Sequence, residues 1–201
     1  FVSPSHFVPQ ILKTLLIAVP MGLNIPLVYN TGGYDALETI RALDGIIDIY
    51  LPDLRYASDQ MAKRFSQAPD YVEHDRDVIK EMYRQVGNLR TDENDIAQRG
   101  LIVRHLILPG RLAGSEESLT WLAKEVSLEV SISLMAQYYP AHHAARFSEL
   151  SRGITEGEYF EAIDLLDKLG MENGWIQEMS ALASYQPDFE QDTHPFIQDQ
   201  D

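Results

Sequence analysis

The 201-residue sequence contains no cysteine. Neither a disulfide framework nor a thiolate metal site can therefore be built from its side chains. Basic residues are also scarce, because 16 Lys and Arg stand against 31 Asp and Glu, for a formal net charge of −15. Binding to nucleic acids and to anionic membranes depends largely on cationic side chains. We therefore expect neither nucleic acids nor membranes as partners.

Long apolar runs are absent as well. No stretch approaches the roughly 18 to 20 apolar residues of a membrane span, and no basic and apolar series opens the chain as in a signal peptide. The length fits one domain, and a hydrophobic content of 45% can supply a substantial core. We therefore expect a soluble, cytoplasmic protein.

The acidic residues are concentrated toward the end of the chain. Residues 1–152 hold 15 basic and 19 acidic side chains, whereas residues 153–201 hold 1 and 12, so the two parts carry −4 and −11. From Ser184 onward there are two prolines, five acidic residues and no Lys or Arg. This composition predicts a disordered acidic tail over residues 184–201.

Three apolar, strand-like runs each end at a cluster of polar or turn residues and are each followed by a helical pattern. They are Pro26–Asn30, Ile46–Pro52 and Leu101–Leu108. This alternation predicts parallel βα units, whose reactive groups gather at the carboxyl ends of the strands. The candidates at those ends are Asn30, Thr31, Asp53, Arg55 and Arg104.

Apolar spacing and turn residues give the remaining elements. Strands are also expected at Val130–Met135 and Trp175–Gln177, and residues 57–90 are expected to form a helical insert. The predicted helices are Phe7–Val19, Asp35–Leu43, Ala57–Phe65, Tyr71–Val86, Ser115–Glu125, capped by Ser115, and Glu156–Leu169. Residues 88–100 are predicted to be a polar loop.

Asp53 and Arg55 stand two residues apart at a strand end, so their side chains point to the same side of an extended chain. Asp53 could hold a ligand or simply cap the following loop. Arg104 lies inside an apolar strand, where an unpaired guanidinium is costly. It must therefore reach either a ligand or a buried carboxylate such as Asp48.

Other motifs give little support for specific chemistry. The segment Asn30–Gly33 offers an amide, a hydroxyl and flexible glycines, but no phosphate-loop or dinucleotide pattern is present. His142 and His143 are adjacent and diverge by about 100 degrees on a helix, so they do not predict a shared metal site. Ser133 lacks the Gly-x-Ser-x-Gly context of a hydrolase nucleophile.

Several segments together resemble the radical SAM superfamily, and within it the iron–sulfur proteins related to pyruvate formate-lyase activating enzyme. The resemblance covers most of residues 1 to about 180. Its most specific segments are Val2–Leu12, Val28–Asp35, Asp48–Asp53, Arg104–Pro109 and Ser133–Tyr138. It implies a partial parallel TIM-like barrel of the (βα)6 type, here over residues 1–183 and missing its first βα unit.

The resemblance further implies S-adenosylmethionine and a [4Fe-4S] cluster as cofactors, with the cluster ligands upstream of Phe1. An electron from a donor such as flavodoxin or ferredoxin would then produce a 5′-deoxyadenosyl radical, which abstracts hydrogen from an unidentified protein or small-molecule substrate. The chain alone is expected to be inactive. A missing first strand would leave Phe1–Ser3 as an exposed edge that is prone to self-association.

The residues expected to contact S-adenosylmethionine follow from matching the strand ends in order. They are Ser3, Pro4, Asn30, Thr31, Gly33, Asp53, Arg55, Arg104, Tyr138 and His142, with His143 an alternative to the last two. Asn30, Gly32 and Arg55 depart from the activase pattern. Asp53 is expected to hold a positive group of the ligand, and Arg104 or Arg55 its carboxylate.

Two other hypotheses remain open from the sequence. One is a cluster-independent barrel enzyme that uses Asp53 as an acid or base. The other is a non-catalytic binding protein whose working surface is the acidic region after Gly153.

Overall fold

A computed structural model describes residues 1–179 of the chain. The predicted tail at 184–201 lies outside the described residues. The helices are α1 (Val8–Ala18), α2 (Leu37–Ala42), α3 (Asp59–Ser66), α4 (Tyr71–Val86), α5 (Ser115–Glu125) and α6 (Glu156–Leu169). The strands are β1 (Val28–Thr31), β2 (Ile49–Pro52), β3 (Arg90–Thr91), β4 (Ala97–Leu106), β5 (Ser131–Met135) and β6 (Gly174–Ile176).

The strands form one mostly parallel sheet in the order β1-β2-β4-β5-β6, and β3 pairs antiparallel with β4. Beyond β1, Val2 pairs parallel with Asn30. Over residues 1–179 the sheet stays open, with strands and helices alternating along the chain. The predicted fold class, an α/β partial TIM-like barrel, is confirmed.

One face of the sheet holds the core. Tyr29, Tyr50 and Leu101 are cross-strand neighbours on β1, β2 and β4, and each is at most 1% exposed. Helix α4 packs against β2 and β4 with Val78, Ile79 and Met82 fully buried. Complete burial of side chains of this size stabilises a fold by roughly 1.5 to 3 kcal/mol each. Because neighbouring residues of a strand face opposite ways, the alternate positions point to the other face.

The segment between α4 and the long strand corrects one prediction. It forms a β-hairpin of β3 and the beginning of β4, where a polar loop was predicted over residues 88–100. The turn is built by Asp92, whose carboxylate accepts hydrogen bonds from the Asn94 and Ile96 amides at 2.9 and 3.0 Å. The polar composition of this segment did not indicate strand pairing. The polar side chain of Asp92 instead forms the turn, because an Asx turn satisfies nearby backbone amides with its own carboxylate.

The first residues form an exposed edge of the sheet. Phe1 and Ser3 exchange backbone hydrogen bonds with Val28 and Asn30 of the β1 side, whereas the Val2 side chain is 80% exposed. Self-association through this edge stays a prediction. Among residues 1–179, no helix combines the length and apolar character needed to cross a bilayer.

Ser115 does not cap α5, because the capping position is occupied by Gly114 and no side-chain cap bond forms there. The Ser115 hydroxyl instead lies 2.8 Å from Nε2 of His105, a fully buried residue of β4. His105 Nδ1 lies 2.7 Å from the Leu54 carbonyl oxygen and must donate to it. Burial lowers the pKa of His105, which favours the neutral imidazole, and with Nδ1 protonated its Nε2 is left to accept from the Ser115 hydroxyl.

Replacing Ser115 with alanine leaves the buried Nε2 without a donor. We expect this change to lower the free energy of unfolding by about 1 to 3 kcal/mol in urea titrations. Ser118→Ala is the matched control on the same helix, since the Ser118 hydroxyl is buried without a hydrogen-bond partner. Equal losses in the two variants would contradict a role for the Ser115–His105 bond.

Candidate functional site

The candidate site lies on the sheet face opposite the helices, near the carboxyl ends of β2 and β4. Asp53 follows β2 directly and forms an isolated parallel bridge with Arg104 of β4. Residues paired in this way direct their side chains to the same face. Asp53 and Arg104, both predicted to lie at strand ends, are therefore in contact with each other, and their contact with a ligand stays a prediction.

Asp53 is held between two guanidinium groups. Arg104 Nη2 lies 2.5 Å from Asp53 Oδ1, and Arg55 Nη2 donates to Asp53 Oδ2. The first contact is an ion pair whose angles fall outside those of a directional hydrogen bond, and Nε of Arg104 is buried without a partner. One carboxylate and two guanidiniums give the cluster a formal charge of +1.

The cluster is open to solvent through its cations. The side chains of Arg55 and Arg104 are 40% and 25% exposed, whereas that of Asp53 is 9% exposed. The carboxylate therefore lies at the base and orients the guanidiniums above it. Asp48, the structural alternative for Arg104, accepts a hydrogen bond from the Leu27 amide at 2.8 Å and lies 4.0 Å from Arg99.

Asn30 and Ser133 extend the same face on neighbouring strands. Asn30 is the cross-strand neighbour of Leu51, two residues before Asp53, and Ser133 is the neighbour of Arg104 on β5. Both residues are half-buried. Together with Leu51 and Met135, which are also half-buried, they line the face around the charged cluster.

Thr31 points to the opposite face of the sheet. Its hydroxyl donates to the Asp35 carboxylate at 2.5 Å, and the Tyr29 hydroxyl donates to the same carboxylate at 3.0 Å. Thr31 is 3% exposed, so its hydroxyl has no path to the cluster. The Thr31 side chain therefore lies apart from the cluster, because a step of one residue along a strand reverses the face. A ligand contact from Thr31 stays a prediction.

Gly33 lies against the cluster with its backbone. Its φ is +84°, and a Cβ built on it would lie 2.3 Å from the Asp53 carbonyl oxygen and 2.1 Å from Oδ1 of Asp75. A side chain is therefore excluded at this position by its surroundings as well as by its conformation. Gly33 lets the segment after β1 approach the end of β2 closely.

The other predicted contacts are placed in different surroundings. Ser3 is exposed at the sheet edge, and Pro4 is buried. The Tyr138 hydroxyl donates to the Leu150 carbonyl oxygen at 2.8 Å, which makes it a support for the loop after β5. His142 is exposed and stacks edge-on with His143, with ring centroids 3.8 Å apart. Ligand contacts from these residues stay predictions.

Two residues of α4, Tyr71 and Asp75, border the cluster and were not among the residues predicted from the sequence. The Tyr71 hydroxyl accepts from the Arg55 amide at 2.9 Å and lies 3.3 Å from the Asp53 carbonyl oxygen. Asp75 is 0% exposed. The sequence did contain a sign of this. Asp75 lies four residues after Tyr71, three before Val78 and four before Ile79, and this spacing places a carboxylate on the apolar face of the helix.

The comparisons with known proteins concern the sequence and the fold of the chain. No protein-family model matches the sequence. The chain is 28% identical over 171 residues to an uncharacterized protein of Methanocaldococcus jannaschii, an alignment that covers 85% of this chain and 45% of that protein. The chain thus spans less than half the length of this curated relative.

Among solved structures, the chain is similar to a domain of pyruvate-formate lyase-activating enzyme from Bacteroides vulgatus. The TM-score is 0.58, and the alignment covers 89% of this chain and 96% of that domain. The two share a fold. Their sequence identity is 15%, so the likeness concerns the architecture.

Proposed function

We propose that this chain is the barrel portion of a radical SAM protein and binds S-adenosylmethionine on the open face of its sheet. The observation that carries the proposal is the cluster of Asp53, Arg55 and Arg104 at the carboxyl ends of two adjacent parallel strands. Support comes from the shared fold with an activating-enzyme domain. Parallel α/β sheets place their ligands at this edge.

The charge of the cluster favours one end of the ligand. Because Asp53 is already paired with two guanidiniums, the residual +1 charge fits the methionine carboxylate better than the sulfonium. Arg104 and Arg55 would bind that carboxylate, and Asp53 would hold both side chains in place. The amide oxygen of Asn30 would accept from the ammonium group, and Leu51 and Met135 offer apolar surface to the nucleoside.

The chain does not fit an iron–sulfur cluster by itself. The sequence has no cysteine, and within residues 1–179 no group of His, Asp and Glu is arranged to hold a metal ion. In the proposed protein, the cluster ligands come from residues outside this sequence. When reduced by such a cluster, S-adenosylmethionine supplies hydrogen-abstracting chemistry, while this chain orients the ligand. The electron donor and the substrate stay predictions.

The binding test compares arginines inside and outside the cluster. We expect Arg104→Gln to weaken S-adenosylmethionine binding at least about tenfold in calorimetric titrations, since a charge-assisted hydrogen bond contributes roughly 1.5 to 3 kcal/mol. Arg111→Gln is the matched control, because Arg111 pairs with Glu161 on α6 and not with Asp53. Titrations use this chain and a longer protein that carries the reconstituted cluster. Absence of binding in both, or equal losses in the two variants, would refute the proposal.

A cluster-independent enzyme that uses Asp53 as an acid or base has less support. Both oxygens of the carboxylate are paired with guanidinium groups, and two adjacent cations make a carboxylate a weaker base. Turnover of a small metabolite by the cysteine-free chain, lost in Asp53→Asn, would favour that alternative.

A further inference from the structure

Asp75 is a fully buried carboxyl group beside the candidate site. It projects from α4, and neither of its oxygens accepts a hydrogen bond of good geometry in the structure, although the Tyr71 hydroxyl lies nearby. Its Oδ1 and the Asp53 carbonyl oxygen lie 2.1 and 2.3 Å from the same point, the position of a Cβ built on Gly33. The two oxygens are therefore at most 2.1 plus 2.3, or 4.4 Å, apart.

Two acceptor oxygens that face each other away from water repel unless a proton lies between them. The Asp53 carbonyl has no proton to offer, and the Tyr71 hydroxyl, which lies 3.3 Å from that carbonyl and also near Asp75, has a single proton for the two oxygens. A proton on the carboxyl group therefore relieves the repulsion. Burial, reinforced by the nearby charge of Asp53, raises the pKa of Asp75 well above its usual range. The geometry and the electrostatics therefore both favour the neutral acid.

Helix α4 meets the turn after β2 through two groups one helical turn apart. Tyr71 accepts from the Arg55 amide, and Oδ1 of Asp75 lies within 4.4 Å, that is 2.1 plus 2.3 Å, of the Asp53 carbonyl oxygen, so both flank the segment that presents Asp53 and Arg55. Three groups oppose the effect of burial on the pKa of Asp75: the Tyr71 hydroxyl first, and then the guanidiniums of Arg55 and Arg76. The charge state of Asp75 thus bears directly on the conformation of this turn.

We propose that Asp75 is a positioning residue, which as a neutral carboxylic acid donates its O–H to the main-chain carbonyl oxygen of Asp53 and fixes the turn that presents Asp53 and Arg55. The ligand readout rests on the proposed function. Deprotonation places two unprotonated oxygens face to face and loosens the turn. The groups that face Asp75 and modulate this step are Asp53, Arg55, Tyr71 and Arg76.

The first test measures stability against pH. A carboxyl whose pKa is raised on folding adds stability below the unfolded pKa, near about 3.9, and this stability is lost as the pH rises through the folded pKa. In Asp75→Asn the amide donates to the same carbonyl without titrating. We therefore expect the ratio of the unfolding constants of the wild type and Asp75→Asn, from urea titrations, to rise more than tenfold from about pH 4 to pH 8.

A ratio that stays constant over this range would overturn the proposal. The variant Asp75→Leu, which cannot donate, separates the hydrogen bond from the charge and should be less stable than Asp75→Asn throughout. The carboxyl ¹³C resonance of Asp75, assigned by its loss in Asp75→Asn, reports the protonation directly. A titration of that resonance at the ordinary aspartate pKa would also overturn the proposal.

The second test measures positioning in the ligand site. With S-adenosylmethionine as the probe, Asp75→Asn should keep the wild-type affinity at neutral pH or exceed it, and Asp75→Leu should lose at least about tenfold. Similar affinities of the two variants would contradict the positioning role. Failure of the proposed function is a different outcome, because a wild-type protein that does not bind the probe would still show the stability profile and the shifted resonance.

Discussion

Gly33→Ala is expected to lower the free energy of unfolding by about 3 kcal/mol or more. The new methyl group would lie 2.3 Å from the Asp53 carbonyl oxygen and 2.1 Å from Oδ1 of Asp75, well inside van der Waals contact. One obstacle is backbone and the other is a fully buried side chain, so neither can move away without disturbing the sheet edge. The φ of +84° adds strain for any residue with a Cβ.

The neighbouring glycine supplies the control. Gly32 is exposed, its φ lies outside the left-handed region, and a Cβ built there would meet no atom within 4 Å. We expect Gly32→Ala to leave the midpoint of urea unfolding almost unchanged. If Gly33→Ala unfolded at the same midpoint as Gly32→Ala, the close approach between the segments after β1 and β2 would not exist in solution.

The architecture was predictable where local periodicity decides it. The helices Tyr71–Val86, Ser115–Glu125 and Glu156–Leu169 have the predicted bounds, since each shows a clear apolar face, and α6 also begins with a capping box at Thr155 and Glu158. Strand bounds shifted by a few residues, as at β2, which is Ile49–Pro52 rather than 46–52. Continuous apolar runs show that a strand is present but do not fix where its pairing begins.

The site was predictable only in part, because its assembly depends on contacts between distant segments. The strand-end rule identified Asp53 and Arg104, but the choice of Asp53 over Asp48 as the partner required the register of β2 against β4. The strand-end rule also did not show that the register puts the Thr31 side chain on the helix-covered face. Tyr71 and Asp75 come from a crossover helix, whose docking on the strand ends no local pattern reports.

The ion pair between Asp53 and Arg104 should show strong energetic coupling. Asp53→Asn leaves two guanidiniums facing each other with no carboxylate between them, and we expect a loss of about 2 kcal/mol in the free energy of unfolding. Arg104→Met keeps an unbranched stem of similar reach and removes the charge. Since each variant breaks the same contact, the double variant should lose about 1 to 2 kcal/mol less than the sum of the two single losses.

The surface pair of Arg111 and Glu161 makes the matched control, because their nitrogen and oxygen atoms lie 2.6 Å apart but both side chains are largely exposed. Solvent screens such a pair, and its double-mutant cycle, Arg111→Met with Glu161→Gln, should give no measurable coupling. Added salt should leave most of the coupling between Asp53 and Arg104 in place, because the Asp53 side chain is only 9% exposed. Equal coupling in the two cycles would mean that Asp53 is as well solvated as a surface carboxylate. A hydrated Asp53 would not hold Arg55 and Arg104 in the fixed arrangement that the proposed ligand site requires.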